Sequence, residues 1–111
     1  MVKEVKRPWG DFKQFAFNEK CTVKILSIKA GEELSLQKHK NRKETWYFLT
    51  SGYVQIGKKR KKVKDGEVIV INKNTPHRLF SLNKPVKVLE ISFGRFDEKD
   101  EIRLEDKYGR K

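Results

Sequence analysis

Apolar, β-branched and aromatic residues recur along this chain in short runs, each closed by glycine, proline, asparagine or a cluster of charges. The runs predict strands at Phe12–Phe17, Thr22–Lys29, Leu34–His39, Thr45–Thr50, Tyr53–Ile56, Glu67–Ile71, Arg78–Leu82 and Val86–Phe93. Turns are expected at Asn18–Lys20, Ala30–Glu32, Ser51–Gly52, Lys64–Gly66 and Asn83–Pro85. Eight or more short strands at regular spacing predict an all-β barrel or jelly roll. Only Asp100–Lys107 has helical character, and with Ile102 and Leu104 as its sole apolar residues any helix there is short and weak. No repeat or linker interrupts the pattern, so residues 1–111 are expected to form a single domain.

Charge changes this picture less than its size suggests. Charged residues make up 38% of the chain and hydrophobic ones 36%, yet the alternating runs and 11% aromatics argue for a folded domain rather than disorder. The formal charge is +12, and KKRKKVK at Lys58–Lys64 supplies six of the positive charges between two strand-like runs. That cluster reads as a solvated hairpin arm whose lysines guard an edge. No aromatic side chains interleave with it to stack bases, so no specific nucleic-acid partner is expected, although anionic substrates would be attracted. The lone Cys21 excludes an intrachain disulfide. Neither a signal peptide nor an apolar stretch near twenty residues is visible, so a cytoplasmic protein without a membrane partner is expected.

The chemistry concentrates in two segments, Gly31–Gly52 and Gly66–Ser81. Gln37 and His39 are two residues apart, so in an extended strand both leave the same face about 7 Å apart. Glu44 follows a polar break, Lys40–Lys43, where the chain could turn, and His77 follows a second apolar run. Gln37, His39, Glu44 and His77 are therefore candidate ligands of one divalent metal with open positions, zinc first and manganese, iron, cobalt or nickel as substitutes. The alternative is that these groups only hydrogen-bond inside the barrel. Glu90 lies in the apolar run VKVLEISF, where a carboxylate needs either a catalytic purpose or an ion-pair partner.

The first segment resembles the first motif of the cupin superfamily, with Gly31, Gln37, His39, Glu44 and Gly52 at its positions and glutamine replacing the first histidine. In the second, Gly66 and His77 keep their places, while Asn72 and Asn74 stand where proline and glycine are usual and Ser81 replaces asparagine. RPWG at Arg7–Gly10, the pattern QxHxxRxExW from Gln37 to Trp46, and LEISFGRFDEKDEIRLEDKYGR from Leu89 to Arg110 narrow the resemblance. Together they are similar to the cupin domain of type II mannose-6-phosphate isomerases, with Thr45 in place of the histidine common before that tryptophan. Such a domain usually forms the carboxyl end of a bifunctional enzyme that also carries a GDP-mannose pyrophosphorylase. No glycine-rich signature for that second activity is seen here.

The resemblance implies a double-stranded β-helix and a metal-dependent aldose-ketose isomerase interconverting mannose 6-phosphate and fructose 6-phosphate, in a homodimer. It places Arg42 and Arg78 at the mouth of the active site, where they would bind the sugar phosphate through bidentate contacts. Arg42 and Glu90 become the candidate catalytic residues, Glu90 as proton carrier. The competing function is a metal-binding cupin that holds a carbohydrate or sugar nucleotide without isomerising it.

Overall fold

The computed structural model describes residues 2–95, 97 and 99–110. Two antiparallel sheets face each other. One has the order β3 (Cys21–Ile28), β10 (Val86–Gly94), β5 (Arg42–Phe48), β8 (Val68–Ile71). The other has the order β11 (Ile102–Glu105), β4 (Leu36–Lys38), β9 (His77–Phe80), β6 (Gly52–Ile56), β7 (Lys59–Val63). A separate hairpin, β1 (Lys3–Arg7) with β2 (Gly10–Gln14), precedes them. This is the expected all-β double-stranded β-helix.

The core follows from period-two alternation on the facing strands. Val86 and Val88 on β10, Trp46 and Phe48 on β5, Ile71 on β8, Val54 on β6, Val63 on β7 and Leu79 on β9 bury their side chains between the sheets. These residues fill the end of the sandwich nearer β7 and β8. At the other end the inward positions carry polar groups, among them Glu44, His77 and Glu90 on the same strands and Gln37 on β4, all buried. A polar interior at one end, braced by a well-packed apolar core at the other, is where a site can be held rigidly.

Two elements depart from expectation. The helical character of Asp100–Lys107 gives way to strand β11, which pairs with β4 in the register Ile102↔Lys38 and Arg103↔Gln37, with a bulge before Glu105. Eight residues of weak helix propensity cannot nucleate alone, whereas the open edge of β4 offers backbone partners at once. At the amino end, the expected strand Phe12–Phe17 is shifted to Gly10–Gln14 and pairs with β1, whose sequence KEVKR carries too little apolar character to be read as a strand.

The basic cluster forms β7 and the turn before it, and β7 is the outer strand of its sheet with Lys59 to Lys62 exposed. Neutralising Lys58, Lys59, Arg60, Lys61 and Lys62 is expected to leave catalysis nearly intact while promoting self-association through the uncovered edge. Light scattering of the variant beside turnover measurements checks this, and a collapse of turnover with the fold preserved would put the cluster in the site.

Candidate metal centre and substrate pocket

Strand register assembles the site in rows. On one sheet, Lys24, Glu90 and Trp46 stand directly opposite one another across β3, β10 and β5, and Ser92 stands opposite Glu44 one row further on. On the other sheet, Arg103, Gln37 and His77 form a row across β11, β4 and β9. Directly opposed residues share a face, and all of these residues except Ser92 line one pocket between the sheets together with His39, Arg42, Glu101 and Arg110.

At the inner end, ligand atoms of His39, Glu44 and His77 lie within 4.8 Å of one another, and all three residues are buried. Glu44 Oε1 is 3.2 Å from His77 Nε2 and 3.6 Å from His39 Nε2. The other nitrogen of each ring is already engaged: His39 Nδ1 lies 2.7 Å from the Asp100 carbonyl and His77 Nδ1 2.7 Å from the Thr75 carbonyl. A carbonyl only accepts, so each Nδ1 carries a proton, and in the neutral form of the ring the Nε2 lone pair is turned toward Glu44. Two lone pairs thus face a carboxylate oxygen that has no hydrogen-bond donor among the described residues, deep in the protein. A cation resolves that arrangement, and this donor set can hold one divalent metal.

The surroundings fix these groups. Ser92 Oγ donates to Glu44 Oε2 at 3.2 Å, the Arg42 Nε atom lies 3.4 Å from the same oxygen, and the Trp46 indole meets the His77 ring edge-on. The Asp100 carboxylate accepts from the backbone amides of Lys40 and Asn41, holding the loop that carries His39. Asn74, where the family usually has glycine, adopts φ +60° and donates its amide to the His39 carbonyl at 2.7 Å. Asparagine tolerates that left-handed conformation better than other residues with a side chain, so the substitution preserves the turn. Gly94 does the same for β10, since a Cβ there would lie 2.5 Å from the Asn41 carbonyl oxygen.

Electrostatics separates the two buried carboxylates. Burial pushes Glu90 up to about 7, the negative charge of Glu44 adds to that, and the hydrogen bond from Trp46 Nε1 at 3.0 Å works the other way. For Glu44 burial also favours the neutral acid, but its polar neighbours, the guanidinium of Arg42 among them, outweigh it and hold the group below its ordinary value. Burial lowers His39, which favours the neutral ring. One carboxylate is thereby kept ionised while its neighbour is poised to exchange a proton near neutrality.

Of the residues expected from the sequence, Gln37, His39, Glu44, His77, Arg42 and Glu90 all line this pocket. Arg78 does not. One residue beyond His77, it projects to the other face of β9, where its guanidinium is held by Glu33 at 3.0 Å and Glu105 at 3.2 Å. Its assignment to the substrate phosphate is therefore corrected to a structural ion triad. Arg42 is buried as well, donating to His39 Nε2 at 3.2 Å and to the Asp97 carbonyl at 3.2 Å. A metal at His39 would compete with Arg42 for one lone pair. Lys24, Glu101, Arg103 and Arg110 line the pocket without having been singled out in the sequence. Glu98 lies outside the described residues.

Comparison with known proteins agrees with this architecture. Residues 1–106 match the family described as "Mannose-6-phosphate isomerase C-terminal". Among curated proteins the chain is 35% identical to mannose-1-phosphate guanylyltransferase ManC of Salmonella typhimurium over 99% of its length and 24% of that protein's. It is also 35% identical to alginate biosynthesis protein AlgA of Pseudomonas aeruginosa, over 96% of its length and 23% of that protein's. The chain thus spans about a quarter of the length of the curated relatives it matches. Among solved structures, a conserved protein with a double-stranded β-helix domain from Klebsiella pneumoniae superposes with a TM-score of 0.69 at 13% identity, over 80% of this chain and 78% of that one. The capsular polysaccharide assembling protein CapF from Staphylococcus aureus gives 0.67 at 17% identity, over 96% of this chain and 35% of that one. The neighbours show the fold, a double-stranded β-helix, and the family match over nearly the whole chain decides the rest: this chain belongs to the mannose-6-phosphate isomerase C-terminal family.

Proposed function

We propose that the chain is a metal-dependent aldose-ketose isomerase interconverting mannose 6-phosphate and fructose 6-phosphate. The observation that carries this reading is one pocket holding a His/Glu/His cluster with a second buried carboxylate, Glu90, beside it. Gln37, His39, Glu44 and His77 would hold the ion, zinc first, which when bound supplies a Lewis acid for the substrate carbonyl.

Glu90 acts as the proton carrier. Its carboxylate takes the proton from carbon 2 of the open-chain aldose, the released electron pair forms the carbon 1 to carbon 2 double bond, and the carbonyl oxygen becomes an enediolate oxygen. Return of that proton to carbon 1, with the hydroxyl proton of oxygen 2 passing to oxygen 1, leaves the ketose with a hydroxyl on carbon 1. The Trp46 indole holds Glu90 in position through its donated hydrogen bond. Arg42 keeps Glu44 ionised and aligned and adds positive charge where the enediolate develops. The relatives, each much longer than the matched region, include an alginate biosynthesis protein and a mannose-1-phosphate guanylyltransferase, which favours a sugar phosphate as the substrate class.

A coupled assay for fructose 6-phosphate formation, run on purified protein with and without added divalent metal, tests this. Turnover that disappears with chelator and returns with metal is the expected result. Metal binding without turnover on any hexose 6-phosphate would leave a cupin that binds a sugar without isomerising it.

A further inference from the structure

The pocket changes character along its length. The inner end holds Glu44 and Glu90 with the histidines, while the outer end is bounded by the edge strands of the two sheets, β3 and β11. Each edge strand turns a cation into the pocket: Lys24 from β3, in register with Glu90, and Arg103 from β11, in register with Gln37 and two strands from His77. Two strand spacings are about 10 Å, the scale that separates the phosphate of an extended hexose 6-phosphate from its first two carbons. The Nε atom of Arg103 is buried and has no hydrogen-bond partner among the described residues. Among the described residues the rest of its fork is tied to Glu101, at 2.6 Å. Arg110, which pairs with Asp106, lines the same end.

From this placement we propose that Arg103, facing Lys24 across the open edge of the sandwich, forms the subsite that grips the phosphate of the substrate. The identification of the ligand as a hexose 6-phosphate rests on the isomerase reading; the anion subsite itself does not. A dianionic phosphate can accept two parallel bonds from the guanidinium, including one from Nε, and so displaces the single carboxylate of Glu101. Anchoring this end leaves carbons 1 and 2 beside Glu90 and the His/Glu/His cluster, so that binding far from the chemistry orients the reacting atoms.

Calorimetric titration of glucitol 6-phosphate, glucitol and inorganic phosphate into metal-free protein tests the subsite without any turnover. The phosphorylated hexitol should bind wild-type protein at least tenfold more tightly than glucitol. Arg103→Gln should weaken the hexitol phosphate at least tenfold, with Arg103→Lys intermediate because it keeps the charge and loses the fork. Lys59→Gln, which removes an equal charge from β7, should bind as wild type. Folded Arg103→Gln and Arg103→Lys proteins that bind the hexitol phosphate as wild type does would overturn the subsite, as would an equal loss in Lys59→Gln. Turnover separates the two readings: Arg103-dependent binding without isomerisation keeps the subsite and removes the isomerase, and isomerisation with an unchanged KM in Arg103→Gln does the reverse.

Discussion

Glu90→Gln is expected to lower kcat on mannose 6-phosphate by roughly a hundredfold or more, with little change in KM. Glutamine keeps the shape of the side chain, and its amide oxygen still accepts the indole proton of Trp46, so binding and packing survive while the basic group is lost. A loss in kcat alone identifies an interaction made in the transition state. Wild-type turnover in the variant would remove Glu90 from the mechanism and make Glu101, the remaining pocket carboxylate outside the metal cluster, the next to test. Asp100 is less suited, because its carboxylate is committed to two backbone amides. The same substitution has a readout independent of activity. Glu90 is pushed up to about 7 in the folded metal-free protein, so the native state binds its proton more tightly than the unfolded chain does. Its contribution to stability is present below about pH 4.3, the unperturbed glutamate value, and is lost as pH rises through the folded value. Thermal melts of chelated protein should therefore lose stability across that window in wild type and lose less of it in Glu90→Gln.

The second large effect is expected from removing the two imidazoles. The double variant His39→Ala with His77→Ala should fall from about one bound divalent metal per chain to none measurable, with its circular dichroism still that of a β protein. Both rings are buried and pre-set by carbonyls to offer Nε2, and Gln37 and Glu44 alone cannot replace them, since transition-metal affinity at such sites rests on the nitrogen donors. Turnover restored by added metal in wild type should not return in the double variant. Equal metal content in both proteins would move the site elsewhere.

How much of this could be read from the sequence depended on where the physics is local. The strands of the core announce themselves through apolar alternation, and the spacing of Gln37, His39, Glu44 and His77 brought together residues that do line one pocket. Glu90 was conspicuous because a carboxylate in an apolar strand must be accounted for. Arg78 misled because it directly follows His77, and in a strand one step along the chain is a change of face. Arg103 was hidden for a different reason. Its strand, IRLE, has two apolar residues among charges that favour helix, and it becomes a strand only because β4 presents an edge to pair with. Lys24 likewise gains its position from the register of β3 on β10, a long-range pairing that no local pattern displays.

The bond from His39 Nδ1 to the carbonyl of Asp100 spans 61 residues, and that distance gives the site a history within each molecule. Among the described residues the buried apolar core draws on nothing beyond Ile91, so a refolding chain can assemble it before residues 100–105 dock. Until then nothing selects the tautomer of His39, the loop at Lys40 and Asn41 lacks its acidic clasp, and β4 has no neighbour on its outer side. Refolding is therefore expected to run in a fixed sequence, with the barrel forming first and the candidate metal site completed only afterwards. Incorporation of the ion should lag behind the burial of tryptophan when refolding is followed in real time.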